Sequence, residues 1–216
     1  MIIAIDGPSA SGKSTTAKGI SEKLKIMHLD TGAMYRAITL GLKNAGISHK
    51  DIENVRGFLS EANIYFDENN QIHLNGKNIS KEIRTNDISS RVSAVSAIPD
   101  VRKKMVMIQR QLAKGNNCVL EGRDIGTVVF PNAEFKFFLI ADIGIRAKRR
   151  LIELEKIGES KAISELIDDI QRRDLLDSSR NHSPLIQAED AIPIDTSHIT
   201  IDEQINKIIN LINHNK

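Results

Sequence analysis

Nine residues, Gly7-Pro8-Ser9-Ala10-Ser11-Gly12-Lys13-Ser14-Thr15, restrict the possible folds of this chain more than any other segment. They fit G-x-x-x-x-G-K-[ST], and their flanks supply the context that gives the pattern physical meaning. Before them, Ile2-Ile3-Ala4-Ile5 is a short apolar, β-branched run with the character of a buried strand. After them, Ala17, Ile20 and Leu24 recur at the spacing of one helix face. A loop slung between a strand end and a helix start gathers backbone N–H groups at the positive end of the helix, where a polyphosphate is stabilised. Gly7 and Gly12 permit the close turn that a Cβ would obstruct. Lys13 can reach β- and γ-phosphates, and the Ser14 hydroxyl can ligate Mg²⁺. A chance glycine turn is the alternative, and the strand–loop–helix order disfavours it. All nine residues are therefore read as a nucleoside triphosphate site, with Ser14 as the metal ligand.

The chain of 216 residues suits one domain with room for a small insertion. A 40% apolar content can build a sizeable core. The formal charge of +2 argues against broad coating of nucleic acid, so any basic patch must be local. Cys118 is the only cysteine, which excludes an intramolecular disulfide and a thiolate metal cluster, and the six histidines are scattered. No apolar run approaches the ~18 residues of a membrane span. The first strand starts at residue 2, which leaves no room for a signal peptide. The expected location is the cytoplasm, with no membrane or nucleic-acid partner, and the expected state is a monomer.

Further apolar runs occur at 26–29, 119–120, 135–141 and 191–194. With the first strand they predict a five-stranded parallel sheet flanked by helices, an α/β P-loop core whose ligands bind beyond the carboxyl ends of the strands. The last helix is expected over 201–212, with Ile205, Ile208, Ile209 and Ile212 as its buried stripe. One stretch, 64–79, instead alternates apolar and polar residues, and Asn75-Gly76 is a type I′ hairpin signal. It predicts a small antiparallel insertion, either a surface decoration or a lobe that covers substrate.

Three clusters bear on the phosphate chemistry. In Asp30-Thr31-Gly32-Ala33-Met34-Tyr35-Arg36, Asp30 or Thr31 can cap a helix that carries Arg36 about a turn inside it, where a second phosphate could be bound. In Glu121-Gly122-Arg123-Asp124-Ile125-Gly126, two glycines bracket a strand-end turn that directs Arg123 and Asp124 to the cleft; a plain Arg–Asp ion pair is the alternative. Third, Arg146, Arg149 and Arg150 share one helical face, as do Arg173, Asp177 and Arg180, with Lys148 and Arg172 nearby and Gly158 marking a turn between them. Two arginine-bearing helices joined by a loop read as a lid over a triphosphate that excludes water. RNA binding is the rival for this patch, weakened because no aromatic residues interleave with the arginines.

These segments, in the order IDGPSASGKST, DTGAMYR, SAIPDVR, GRDIGTVVFP, RAKRR and RRDLLDSSR, resemble the bacterial cytidylate kinases of the P-loop nucleoside monophosphate kinase group, essentially from end to end. The resemblance implies an ATP-dependent kinase of pyrimidine nucleotide metabolism that converts CMP and dCMP to CDP and dCDP with Mg²⁺. It implies a core of about 1–35, 98–142 and 181–216, a monophosphate-binding region with its insertion at about 36–97, and a lid at about 143–180. It places Arg36, Arg123 and Arg180 on the acceptor phosphate, and Ser93, Arg102 and Asp124 on the cytosine ring. Arg173 and Asp177 fall on the ribose, Thr31 joins the CMP site, and Arg149 belongs to the lid. Lys13, Arg36, Arg123, Arg149 and Arg180 are the implied catalytic group. Glu121 stands where the family pattern usually has Asp, and Ile140-Ala141-Asp142 replaces a more usual Asp-Ala pair. Other monophosphate or small-alcohol kinases, and a nucleotide-controlled switch, are the competing readings; the missing N-K-x-D pattern weakens the switch.

Overall fold

The computed structural model describes residues 1–214. Its strands are β1 (Ile2–Asp6), β2 (Met27–Asp30), β3 (Ile64–Phe66), β4 (Ile72–Leu74), β5 (Lys77–Asn78), β6 (Cys118–Gly122), β7 (Phe135–Ile140) and β8 (Ile192–Asp195). Five of them form one parallel sheet in the order β2-β6-β1-β7-β8, as the apolar runs predict. The strands run slightly past their apolar stretches, because ladder pairing continues through Asp30↔Glu121 and Asp6↔Gly122. Charged residues are thereby held in register at the carboxyl edge of the sheet.

The helices are α1 (Lys13–Leu24), α2 (Thr31–Asn44), α3 (Ile52–Glu61), α4 (Asn86–Ser96), α5 (Pro99–Ala113), α6 (Ile143–Glu155), α7 (Ile163–Ser178) and α8 (Ile201–His214). Alternation along β1 sends Ile3 and Ile5 to one face, against Ala17 and Ile20 of α1 and Ile205, Ile208 and Ile212 of α8. Ala4 turns to the opposite face, among Leu29, Leu120, Ile125 and Val129. Both faces are covered, which explains why the strands read as continuous apolar runs. Ile3 and Ile5 are wholly buried, each contributing about 1.5–3 kcal/mol through its side chain. No helix among the described residues is long and apolar enough to cross a membrane.

The insertion is a three-stranded antiparallel sheet, β3-β4-β5. Asn75 (φ 50°) and Gly76 (φ 82°) both adopt the left-handed conformation that a type I′ turn requires. Ile64, Ile72 and Leu74 enter the core built around α2, so the insertion is welded to the domain by its inner face. Its tip, Asn69 and Asn70, lines a cavity with Ser14 and Thr15. Helices α6 and α7 have a small core of their own, Ala147, Leu154, Leu166 and Ile170, and Gly158 (φ 77°) lies in their connection.

Candidate active site

The chain leaves β1, the middle strand, through a loop that passes close beneath its neighbour β7. A Cβ on Gly7 (φ 148°) would lie 2.2 Å from the Leu139 carbonyl oxygen, so only glycine fits. Gly12 (φ 92°) then starts α1, and Ser9, Ala10, Gly12, Lys13, Ser14 and Thr15 line one side of an open channel. Pro8 and Ser11 support this loop from within: Lys13 Nζ donates to the Pro8 carbonyl at 2.5 Å and to Ser11 Oγ at 3.3 Å. Burial, and then the nearby Arg123 charge, push the Lys13 ammonium well below its ordinary range, against the pull of Glu121. An anion in the channel would relieve that strain.

Arg36, Arg84, Arg123, Arg150 and Arg173 also line the channel and outnumber its carboxylates, Asp30, Glu121 and Glu153. Asp30 caps α2 by accepting from Ala33 N at 2.8 Å and holds Arg84 at 2.6 Å. Arg36, one turn into α2, donates to Ser89 Oγ at 2.6 Å. Ser89 Oγ also accepts from Arg150 at 3.0 Å, so one hydroxyl gathers an arginine of α2 and one of α6. Burial, then Arg173, Arg84 and Arg150, lower the pKa of Arg36 well below its usual value. Burial, then Arg123, bring Arg173 down to about 10. Positive groups so crowded are poised for a ligand with several negative charges.

Deeper in, a second cavity is lined by Thr31, Tyr35, Ser93, Ser96, Arg102, Asp124, Asp177 and Arg180, and it shares Gly32, Arg123 and Arg173 with the channel. Arg102 pairs with Asp124, and both side chains are nearly inaccessible. Arg102 lies 5.3 Å from the Tyr35 ring centroid and donates to the Ser96 carbonyl at 3.1 Å. Asp177 accepts from Ser93 Oγ at 3.0 Å, from Arg123 Nε at 2.8 Å and from Arg180. Burial raises the Asp177 pKa, but Arg123, Arg173 and Arg180 outweigh it and hold the carboxyl at about 2. The buried Nε groups of Arg102, Arg173 and Arg180 have no hydrogen-bond partner among the described residues. Native interiors rarely leave such donors unsatisfied.

The structure thus brings the expected residues together on two sides. Thr31, Ser93, Arg102, Arg123, Asp124, Arg173, Asp177 and Arg180 share the inner cavity, whereas Arg36 faces the channel. Arg123 and Asp124 do not pair with each other; each is claimed by a distant partner. Arg146, Arg149 and Arg150 leave α6 on one inward face, with Lys148 exposed between them, but their guanidinium groups reach different acceptors. Arg146 donates to the Ser9 carbonyl at 3.2 Å and to Asp174 at 2.5 Å, Arg149 to the Thr196 carbonyl at 2.6 Å, and Arg150 to Ser89. Their long stems fan out toward whichever acceptor lies in reach. Lys148 and Arg172 are exposed. Asp142 has a structural part, since it caps α6 by accepting from Gly144 N at 2.8 Å. Arg84, Ser89 and Ser96 carry no local sequence signal, and Arg150 stood out only as one arginine in a cluster.

No group of three or more His, Cys, Asp or Glu side chains among the described residues converges as a cation cage. The residues at the channel mouth fit a hard cation of another kind. Ser14 Oγ donates to Glu121 Oε2 at 2.6 Å, and Glu121 Oε1 lies 3.2 Å from His28 Nε2. One hydroxyl and one carboxylate beside a phosphate site suit a small cation that retains water and takes its remaining ligands from phosphate oxygens.

A phosphate-binding loop on a parallel sheet, facing an arginine-lined channel and an inner pocket, defines a P-loop kinase. The chain belongs to the cytidylate kinase family, whose model matches residues 3–214. It is 46% identical over 210 residues to the cytidylate kinase of Clostridium botulinum (strain Langeland), covering 97% of this chain and 96% of that one. It is equally identical over 210 residues to the cytidylate kinase of Acholeplasma laidlawii, covering 97% of this chain and 94% of that one. The crystal structure of an uncharacterized protein from Eubacterium ventriosum shares the fold, with a TM-score of 0.53 at 14% identity and coverage of 99% and 98%. The protein is therefore an enzyme, and its family's chemistry is phosphorylation of nucleoside monophosphates.

Proposed function

We propose that this enzyme transfers the γ-phosphoryl group of ATP to CMP or dCMP, giving ADP with CDP or dCDP, and that it does so as a monomer. The observation that carries the reading is the buried Arg102–Asp124 pair at the end of the inner cavity. Such a pair is expensive to desolvate and is weak evidence for stability alone. As a ligand reader it is selective. Ionised Asp124 only accepts and Arg102 only donates. Cytosine complements both, with a donating N4 amino group and accepting N3 and O2; uracil presents an acceptor and a donor at the corresponding positions.

ATP lies along the loop of Gly7, Pro8, Ser9, Ala10, Ser11, Gly12, Lys13, Ser14 and Thr15. CMP occupies the inner cavity, with Thr31 and Ser93 beside it, Arg173 and Asp177 at the ribose, and its phosphate directed to Arg36, Arg123 and Arg180. The junction at Gly32, Arg123 and Arg173 is where the two phosphate chains would meet. An ionised CMP oxygen attacks the γ-phosphorus in line, and the bond to the β,γ-bridging oxygen breaks. No protein base is required, because that oxygen already carries charge. Lys13, Arg36, Arg123 and Arg180 stabilise the charge spread over the transferring group. Ser14, with Glu121 behind it, would hold Mg²⁺, which would neutralise phosphate charge.

The lid helices add water exclusion. Arg146 and Arg173 both bond to Ser9, which ties α6 and α7 to the phosphate loop. Arg149 and Arg150 are the remaining lid cations, the second reaching the channel. A coupled assay of ADP release tests the reading: ADP should form when CMP is added and stay near background with ATP alone. Rapid hydrolysis without CMP would favour a nucleotide switch.

A further inference from the structure

Asp6 is the last residue of β1, directly before the phosphate loop. It is 5% exposed. One oxygen accepts from Ile125 N at 2.9 Å and the other from Gly126 N at 2.7 Å. These are the two amides that follow Arg123 and Asp124, the residues that reach the acceptor phosphate and base in the proposed function. Ala4 and Asp6 share a face of β1, and Ile125 and Val129 pack among the apolar residues around Ala4. Apolar contact thus keeps the wide helical turn Ile125–Val129 on the sheet, but it is non-directional. The two bonds to Asp6 are directional, and they fix how the turn is rotated.

We propose that Asp6 is a positioning residue that locks the acceptor-binding turn to the donor loop, so that one carboxylate sets the separation of the two phosphate chains. The inference rests on the reading of Arg123 and Asp124 as acceptor contacts. Its cost supports it. Burial raises the Asp6 carboxyl to about 6, opposed by the Gly126 and Ile125 amides and by Lys13, while Asp124 adds to the rise. A group kept charged against its own burial is more economically explained by orientation than by stability. Lys13 and Asp124 are the charged groups that face it, and they belong to the donor and acceptor sides respectively.

Asp6→Asn keeps the size but replaces one acceptor with an NH₂ donor, which must face an N–H of Ile125 or Gly126. The variant should fold, retain ATP affinity measured without CMP to within about twofold, and show a KM for CMP raised about tenfold or more. The preference for CMP over UMP should fall in the same variant, because Asp124 rotates with the turn. An unchanged KM for CMP, or equal losses toward both nucleotides, would overturn the proposal. Amide exchange in the wild-type protein decides the matter if Asp6→Asn does not fold: Ile125 and Gly126 should be as protected as the strand amides of β6, and exchange at loop rates overturns the idea. If the wild type uses UMP as well as CMP, the cytosine reading fails instead, and the Asp6 test runs unchanged on whichever monophosphate the enzyme uses.

Discussion

Replacing Asp177 with Asn removes one negative charge from the centre of three arginines. The carboxylate is 1% exposed and accepts from Ser93, Arg123 and Arg180. It titrates at about 2 against an ordinary 3.8, because the arginines outweigh burial. That depression corresponds to about 2.5 kcal/mol of folding free energy at neutral pH. The arginines add no matching gain: burial, with Arg102 and Arg123, keeps Arg180 below its ordinary value despite Asp177. Stranding buried cations puts the expected loss at about 3 kcal/mol, toward the low end for a broken buried pair. For a chain of this size that is roughly 6–12 °C in Tm. The folded pKa lies below the unfolded one, so the contribution is complete above pH ~5 and is lost as pH falls toward 2. Urea unfolding of both proteins at neutral pH and near pH 3 reads the effect: the stability gap should narrow by about a third at the lower pH. A gap below about 1 kcal/mol at pH 7, or one that does not shrink on acidification, would refute the reasoning. The variant should also use CMP and dCMP poorly while binding ATP normally; a loss confined to ATP would put α7 on the donor side.

Lys13→Ala should lower kcat/KM for ATP by at least ~10²-fold, through lost stabilisation of the transferring charge. Its Tm should hold or rise, since burial already penalises the ammonium; near-normal turnover would remove Lys13 from the mechanism. Gly7→Ala forces a Cβ to within 2.2 Å of the Leu139 carbonyl, and its urea midpoint should report a loss of at least about 2 kcal/mol. An unchanged midpoint would contradict the close approach of loop and strand.

The phosphate loop and the parallel sheet were legible because their signals are local. Spacing fixes the loop, continuous apolar runs fix the doubly covered strands, and Asn75-Gly76 fixes the hairpin turn. The inner cavity was legible through family resemblance, since its residues come from α2, α4, α5, α7 and the turn after β6. No local pattern states that Asp124 will meet Arg102 and that Arg123 will meet Asp177. Helical periodicity gives the shared face of α6 but not the partners of its arginines. It groups Cβ positions correctly, but an arginine side chain is long enough to turn toward Ser9, Thr196 or Ser89 after leaving a common face. Arg84 and Ser89 follow the hairpin in sequence, where polar residues are ordinary, and only tertiary packing brings them to the channel. Asp142 was unassigned because a cap depends on where the helix begins.

We propose that the Arg102–Asp124 pair reads cytosine. Its most direct test is kcat/KM for CMP and UMP in the wild type and in Asp124→Ala, with ATP saturating. Sites that hydrogen-bond a substrate group can discriminate by ~10⁴, and the wild type is expected to favour CMP by at least ~10²-fold. In Asp124→Ala the ratio should narrow, mainly through a loss with CMP. Equal use of UMP by the wild type, or an unchanged ratio in the variant, would contradict the account.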